Sequence, residues 1–280
     1  MKVAVTGASG FIGRHVVLEL GRYDVDIIAV GHEKRRLPEG PHIAARAMDI
    51  YDAEPGSLFC ALGEPDVLLH LAWGGLPNYK SLHHIEHELP HQYAFLKGMV
   101  EGGLSSLVVV GTCFEYGLVS GPLREDLDTR PHTPYGYAKD ALRKQLEFLQ
   151  AERAFGFTWA RLFYLFGEGQ PSKTLYSQLR QATQDGDRVF NMSAGEQLRD
   201  YLSVQDVASY LVSFALHRAS LGVVNLASGM PVSIRSLVER WIQENGWAIN
   251  LNLGYYPYPD YEPMAFWGDV TKLRRYEEDI

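Results

Sequence analysis

The sequence predicts a doubly wound α/β protein, a parallel sheet with helices on both faces and a smaller C-terminal substrate-binding lobe. Two observations lead to this prediction. The chain opens with a strand, a glycine turn and a helix in direct succession. Six or seven apolar runs of strand length then alternate with helical stretches, which is typical of βα units and a parallel sheet.

The first βα unit, MKVAVTGASGFIGRHVVLELGR, carries a glycine fingerprint. A buried apolar run at residues 3–5 precedes glycines spaced as GxxGxxG, and a helical pattern follows. Such glycines let the backbone approach a pyrophosphate, and the free N–H groups of the helix start face the anion. We therefore expect a dinucleotide cofactor here, bound by Gly7, Ser9, Gly10, Phe11, Ile12 and Gly13.

The second strand, at residues 26–30, lacks the acidic residue that normally ends it in NAD-binding proteins. Glu33 lies two residues late and three basic residues follow it. A cationic cluster of His32, Arg35 and Arg36 suits the extra phosphate of NADP. The sequence therefore favours NADP, with NAD as the alternative.

Later strand ends are expected to complete the cofactor site, because ligands in such sheets bind at the carboxyl ends of strands. Asp49 and Ile50 follow a short third strand. A buried strand over residues 65–72 runs into the turn Trp73-Gly-Gly. Leu71, Ala72 and Trp73 are predicted to face the cofactor.

A helix predicted over residues 81–102 carries histidines at every fourth position. His83, His87 and His91 share one face, with His84 beside them. Histidines at i and i+4 can share a metal ion. No carboxylate or cysteine completes an obvious ligand set, and Pro90 interrupts the helix. A solvated helix face and no metal site are the prediction.

Composition limits the partners of the chain. The 280 residues carry a net charge of −8 and no basic block, which argues against nucleic acid and anionic membranes as partners. Cys60 and Cys113 form no disulfide framework, as expected of a cytoplasmic protein. The chain enters a strand at once and leaves no room for a signal peptide, and no apolar run approaches a membrane span.

Three residues form a candidate reactive set. Thr112 ends a strand over residues 105–112, and Tyr135 and Lys139 lie four apart at the start of a long helix, on one face. A phenol has a pKa of about 10, which a neighbouring ammonium is expected to lower. Beside a nicotinamide, this set would move a proton while the cofactor moves a hydride.

The rest of the chain is predicted to contain a strand at 157–166, a helix at 203–217, a strand at 223–226 and a helix at 234–245. Residues 255–267 are rich in Tyr and Pro and are expected to be irregular. We predict an NAD(P)-binding domain over residues 1–166, with 202–226 returning to its sheet. A smaller lobe over the strand ends is predicted for residues 167–280.

Together the motifs TGASGFIG (6–13), HLAW (70–73), GTCFEYG (111–117), PYGYAK (134–139) and RDYLSVQDVA (199–208) resemble the extended short-chain dehydrogenase/reductase superfamily. More closely, the chain is similar to its nucleotide-sugar epimerase/dehydratase/reductase branch. That resemblance implies a Rossmann domain, a C-terminal nucleotide-sugar lobe and a homodimer. It assigns the acid/base to Tyr135, its partner to Lys139 and the hydroxyl group to Thr112. It also places Leu162 and Phe163 at the nicotinamide and Arg199 at the sugar-nucleotide phosphates, with Cys113, Phe114 and Tyr164 on the substrate side.

At several positions this chain differs from the motifs of the branch, and these differences reduce the number of reactions to consider. Tyr164 stands where an Asn is usual. The 4,6-dehydratases carry Asp and Glu directly after the strand-end Thr, where this chain has Cys113 and Phe114; Glu115 is either an extra acid or a loop carboxylate. GTCFEYG with PYGYAKD is most similar to bacterial 4-ketoreductases for deoxy sugars of surface polysaccharides. The expected function is therefore NAD(P)H-dependent reduction of a nucleotide-activated 4-keto-6-deoxy sugar. An NAD-dependent 4-epimerase and a non-catalytic dinucleotide sensor are the alternatives.

Overall fold

The computed structural model describes residues 1–51 and 55–280. Its strands are Lys2–Thr6 (β1), Asp26–Gly31 (β2), Ile43–Ala47 (β3), Val67–His70 (β4), Ser106–Thr112 (β5), Gly121–Leu123 (β6), Gly156–Leu162 (β7), Tyr164–Phe166 (β8), Val189–Asn191 (β9), Leu198–Arg199 (β10), Tyr201–Ser203 (β11), Gly222–Leu226 (β12), Val232–Ser233 (β13), Asn250–Asn252 (β14) and Phe266–Gly268 (β15). Its α-helices are Phe11–Leu20 (α1), Leu58–Ala61 (α2), Leu89–Gly102 (α3), Pro134–Glu152 (α4), Leu175–Gln184 (α5), Val204–Leu216 (α6), Ile234–Asn245 (α7) and Thr271–Asp279 (α8). A π-helical turn, His84–Glu88, leads into α3, and short 3₁₀ turns lie at Lys34–Arg36, Pro55–Ser57 and Cys113–Tyr116.

Seven parallel strands form the main sheet, in the order β12-β7-β5-β4-β1-β2-β3. This arrangement confirms the predicted doubly wound fold. The strand order reverses between β1 and β4, and the carboxyl ends of the strands on both sides of that point leave a crevice for ligands. β1, β4, β5 and β7 are buried on both faces, so they read as continuous apolar runs.

Helices cover the sheet on both faces because successive strand side chains point to opposite sides. Val3 and Val5 pack with the apolar stripes of α1 and α6, whereas Ala4 lies in a second core beneath α3 and α4. Full burial of a Leu or Val side chain stabilises the folded state by about 1.5–3 kcal/mol. These two cores fix the sheet that carries the site.

The C-terminal part adds small two-stranded sheets, β8–β11, β9–β14, β10–β13 and β6–β15, and a third core around Leu179, Leu237 and Trp241. The strand predicted over 157–166 is in fact two strands. After Leu162 the chain leaves the main sheet, and the Tyr164 N–H donates to the Asp200 carbonyl instead. Residues 255–267 are largely irregular, as predicted, until Phe266 and Trp267 pair with β6. Within the described ranges, no helix is long and apolar enough to cross a bilayer.

Candidate active site

The glycine turn between β1 and α1 has the tight geometry that the fingerprint predicts. Gly7 has a φ of +68°, and the Gly10 N–H donates to the Gly7 carbonyl at 2.9 Å. A Cβ on Gly13 would lie 2.1 Å from the Gly7 oxygen, so only glycine fits there. Among the residues that the structure describes, no side chain caps α1, which leaves its first N–H groups available to an anion. These features fit the pyrophosphate of a dinucleotide.

The reactive set assembles beside this turn, at the carboxyl end of β5. Thr112 is the last residue of β5. Tyr135 and Lys139 lie in the first turns of α4, which Thr133 caps by accepting a hydrogen bond from the Gly136 N–H at 3.1 Å. All three side chains of the set are buried and line one cavity.

Lys139 is held by two contacts. Its Nζ donates to the Val110 carbonyl at 3.0 Å and lies 4.0 Å from the centre of the Trp73 ring. Burial lowers the pKa of Lys139 to about 7, although the carboxylates of Glu115 and Glu88 act in the opposite direction. The ammonium is therefore poised to change protonation near neutral pH.

Tyr135 lies among aromatic rings: the ring centroids of Tyr79, His84 and Trp73 are 5.5, 5.3 and 6.0 Å away. Burial, above all, raises the pKa of Tyr135, and a hydrogen bond with Thr112 only partly offsets it. The expectation of a lowered phenol pKa is therefore wrong. Desolvation of the phenol is the main cause, and the nearby groups Tyr79, Glu115 and Cys113 act in the same direction.

The cavity has a volume of about 850 Å³ and reaches from α1 to the C-terminal segments. It brings together twelve of the predicted site residues: Phe11, Ile12, Leu71, Trp73, Thr112, Cys113, Phe114, Tyr135, Lys139, Leu162, Phe163 and Tyr164. Sequence reasoning missed further lining residues, chiefly Tyr79, Lys173, Tyr201, Trp241, Tyr261 and Glu262. The Tyr- and Pro-rich segment near the C-terminus was the available signal for the last two.

Arg199, predicted to bind phosphates, is almost fully buried behind the cavity wall. Its Nη2 and Nε donate to Glu262 Oε2 at 2.9 and 3.3 Å, and its Nη1 donates to the carbonyls of Leu198 and Met264. The guanidinium also lies 4.5 Å from the Phe266 ring. Only Glu262 of this ion pair lines the cavity.

Glu115, whose role the sequence left open between an extra acid and a loop carboxylate, makes the contacts of a structural carboxylate. It is fully buried outside the cavity lining. Its Oε2 accepts from Arg161 Nε at 2.6 Å, and its Oε1 accepts from the Trp159 indole at 2.9 Å and the Thr112 N–H at 2.8 Å. It therefore fixes the end of β5, where the reactive threonine lies.

Cys113 and Phe114 follow Thr112 and both face the cavity. Burial, with the Glu262 carboxylate nearby, raises the pKa of the Cys113 thiol. The Cys113 side chain is thus a neutral thiol, and Phe114 has no proton to transfer.

The end of β2 carries the predicted adenosine-side cations. Arg35 and Arg36 are exposed and pair with Glu33 at 2.8 and 3.6 Å, while His32 Nδ1 lies 3.6 Å from Asp49 Oδ2. Ile50 is buried next to this group, and Ser9 faces Gly31 at the strand end. Exposed pairs of this kind are weak and can exchange partners.

The prediction of a solvated histidine face before α3 holds for His83 and His87, which are partly exposed, and is wrong for His84. The expectation that no carboxylate joins them is also wrong. His84 is buried: its Nδ1 accepts from the Trp73 indole at 3.1 Å, and its Nε2 bonds the Asn78 carbonyl at 2.9 Å. A carboxylate does stand with the others, because the π turn brings Glu88 beside His83 and His87. The predicted α-helical periodicity placed it on another face.

The fold and site define a dinucleotide-dependent oxidoreductase with a Tyr and a Lys on one helix. Over residues 3–227 the chain matches the model of the NAD dependent epimerase/dehydratase family. The protein belongs to that family, within the extended short-chain dehydrogenases/reductases, and it is an NAD(P)-dependent enzyme.

Individual relatives span nearly the whole chain. A dTDP-6-deoxy-L-talose 4-dehydrogenase (NAD(+)) from Aggregatibacter actinomycetemcomitans is 30% identical, over 96% of this chain and 99% of the relative. A UDP-glucose 4-epimerase from Halalkalibacterium halodurans is 26% identical, over 88% and 81%. Among solved structures, MoeE5 in complex with UDP-glucose and NAD superposes with a TM-score of 0.83 and 27% identity, covering 98% of this chain and 91% of that one.

Proposed function

We propose that the protein reduces the C4 ketone of a nucleotide-activated 4-keto-6-deoxyhexose, with NAD(P)H as hydride donor, in surface polysaccharide biosynthesis. The observation that carries this proposal is the convergence of Thr112, Tyr135 and Lys139 in one cavity beside the glycine turn. Likeness over the full length to a 6-deoxy-sugar 4-dehydrogenase supports the choice of C4 and of a 6-deoxyhexose.

The roles proposed for the three residues follow from their chemistry. The Tyr135 hydroxyl would give its proton to the ketone oxygen, and Thr112 would hydrogen-bond that oxygen. Lys139 would stabilise the phenolate left behind. The bound cofactor supplies the hydride to C4 and a positive charge once oxidised. The carbonyl is thus reduced to an alcohol by one hydride and one proton.

We propose that the residues predicted from the sequence bind the cofactor. The turn from Gly7 to Gly13 would hold the pyrophosphate, with the strand ends around Asp49 and Leu71–Trp73 beside it. Leu162 and Phe163 line the cavity where a nicotinamide would reach the reactive set. Arg35 and Arg36 would favour NADPH over NADH, because both are exposed and no acid ends β2.

The nucleotide sugar would occupy the aromatic end of the cavity, with Cys113, Phe114 and Tyr164 beside the hexose. Arg199 would contact the phosphates of the nucleotide sugar once its ion pair with Glu262 is broken. A homodimer is part of the proposal. It rests on the resemblance to the nucleotide-sugar branch, which implies a homodimer.

One pair of assays tests the reaction. With dTDP-4-keto-6-deoxyglucose and NADPH, absorbance of the reduced cofactor should fall and a 6-deoxyhexose should form. With dTDP-glucose and NAD, no 4-keto-6-deoxy product is expected. Dehydration needs a base and an acid, and neither the neutral Cys113 thiol nor Phe114 supplies them. Formation of that product, or no oxidation of NADPH across a panel of 4-keto sugars, would contradict the proposal.

A 4-epimerase is the second candidate, because several 4-epimerases are among the relatives. An epimerase returns the hydride to the same substrate and needs its cofactor retained. The purified protein would then contain bound NAD and interconvert dTDP-sugar epimers with none added. A reductase would instead consume one equivalent of reduced cofactor for each product formed.

A further inference from the structure

A second polar cluster lies outside the cavity, at the start of α3. His83 Nε2 is 3.1 Å from Glu88 Oε1, and His87 Nδ1 is 4.0 Å from the same oxygen. These three atoms lie within 4.8 Å of one another. We propose that His83, His87 and Glu88 bind one divalent transition-metal ion, of the class of Zn²⁺, a function beyond the proposed reductase activity.

The backbone brings the three ligands onto one face. His83 and His87 are four residues apart, and their rings stack with centroids 4.7 Å apart. Glu88 is five residues from His83 and would point elsewhere in a regular α-helix. The π turn His84–Glu88 bonds residues five apart, so it places the carboxylate under His83. Such π turns occur frequently at functional sites.

The spacing of the ligand atoms suits a small ion. Zn²⁺ binds imidazole nitrogen and carboxylate oxygen at about 2.0–2.2 Å in a tetrahedron, which sets neighbouring ligands about 3.3 Å apart. The distance from His83 to Glu88 already meets this value. His87 Nδ1, which is 4.0 Å from the same carboxylate oxygen, has to move closer to it, and the side chain is partly exposed. A water would take the fourth position.

One nitrogen of His87 lacks a hydrogen-bond partner within the described part of the chain, which supports a ligand at this position. Its Nδ1 atom is shielded from solvent and has no hydrogen-bond partner among the described residues. Buried polar atoms are rarely left unpaired, and each exception calls for a ligand, water or ion. A coordinate bond from Nδ1 would satisfy it.

Outer hydrogen bonds hold the carboxylate in place, as they do around metal ligands generally. Tyr51 donates its hydroxyl to Glu88 at 2.8 Å and Gln92 donates its amide at 3.0 Å. The Gly74 N–H is a further donor. The ion would replace the hydrogen bond from His83 to Oε1. Tyr51 also bonds Oε2, and Gln92 bonds Oε2, so these two donors would still hold the carboxylate.

The donor set selects the class of ion. Two imidazoles with one carboxylate suit Zn²⁺, Co²⁺ or Ni²⁺, whereas Mg²⁺ and Ca²⁺ prefer oxygen ligands. His83 and His87 are both partly exposed, so an ion can enter from solvent. The site touches the turn after β4, since a Cβ on Gly75 would lie 2.9 Å from the His83 ring. A bound ion should therefore also stabilise that turn.

The test titrates Zn²⁺ into metal-free protein, purified without a histidine tag, against a chromophoric chelator. One equivalent should bind, and His83→Gln and His87→Gln should each weaken binding at least about tenfold. His217→Gln, an exposed histidine on the far side of the sheet, should bind as the unchanged protein does. Added Zn²⁺ should raise the Tm of the unchanged protein and of His217→Gln only.

Substitution with Co²⁺ gives an independent readout, because its visible absorption is intense in four-coordinate sites and weak in six-coordinate ones. An intense band that disappears in His87→Gln supports the site. The proposal is overturned if the protein binds no Zn²⁺, if both histidine variants bind as well as the unchanged protein, or if His217→Gln loses binding too. His83 and His87 are surface side chains, so their variants should fold normally.

Discussion

The Lys139 ammonium lies 4.0 Å from the centre of the Trp73 ring, and the lysine is almost fully buried. A cation over an indole face is attracted by the ring quadrupole, which partly compensates for lost hydration. The compensation is incomplete, because burial still lowers the pKa of Lys139 to about 7. Burial of Lys139 therefore has a cost in stability.

Lys139→Met should inactivate the enzyme and stabilise the fold at pH 7 by on the order of 1–3 kcal/mol. Between pH 7 and about 10.5 the unfolded chain binds more protons at Lys139 than the folded one, so this lysine's penalty falls as pH rises. Urea unfolding at pH 7 and pH 9 should show a smaller advantage of Lys139→Met at pH 9. A less stable variant at pH 7 would contradict the argument.

Tyr135→Phe should lower kcat by about 10²–10⁴-fold, since a positioned proton donor contributes that much. The dinucleotide Kd should change little, because the glycine turn holds the pyrophosphate. Steady-state kinetics and cofactor titration measure the two effects separately. Tyr137→Phe is the matched control: its ring is on the same helix but half exposed. Near-normal turnover by Tyr135→Phe would remove this residue from the mechanism.

Gly13→Ala should abolish dinucleotide binding, because the new Cβ would meet the Gly7 oxygen at 2.1 Å and force the turn open. Gly21→Ala, after the other end of α1, meets no atom closer than 3.4 Å and should bind cofactor normally. Fluorescence titration with reduced cofactor compares the two variants. Retained binding by Gly13→Ala would mean that the pyrophosphate lies elsewhere.

Replacing Arg35 and Arg36 with Ala should weaken NADPH more than NADH, by about tenfold for the 2′-phosphate contact. Arg22→Ala, an exposed arginine that pairs with Glu19, is the control. The measurement is the Kd of NADPH and of NADH for the unchanged protein, the double variant and Arg22→Ala. Tighter NADH binding by the unchanged protein would show that Glu33 and Asp49, not the arginines, set the preference.

Glu115→Gln should destabilise the fold by about 3–5 kcal/mol, since it leaves the buried Arg161 guanidinium without its counter-charge. Chemical denaturation of Glu115→Gln against Glu147→Gln, a half-exposed partner of Arg143, measures this loss. A loss of activity with unchanged stability would instead assign Glu115 a chemical role.

Local sequence pattern was sufficient for the sheet, for the tight glycine turn and for the placement of Tyr135 and Lys139 on one helix beside Thr112. Each of these features depends on short-range geometry. The reactive role of the three side chains stays a prediction. The long helix, predicted to reach about residue 155, ends at Glu152. Contacts made across the chain were not accessible in this way. Nothing local predicts that Glu262 would neutralise Arg199, or that Glu115 would meet Arg161.

The histidine segment shows why one helical period can mislead. Placing residues 81–102 on an α-helix separates Glu88 from His83, whereas the π turn unites them. The predicted direction of the Tyr135 pKa shift was wrong for a related reason. Proximity to a lysine can be inferred from spacing, but the degree of burial of both groups depends on Tyr79, Phe114 and Trp73, which come from distant parts of the chain.

The ion pair between Arg199 and Glu262 means that the guanidinium already has an anionic partner at the cavity wall. In the proposed binding mode, an incoming diphosphate would have to displace a carboxylate that already pairs with the guanidinium, so a weak anion would gain little by entering. A ligand that also made base and sugar contacts would have more binding energy to complete the exchange. The pair would thus favour a whole nucleotide sugar over free phosphate and small carboxylates.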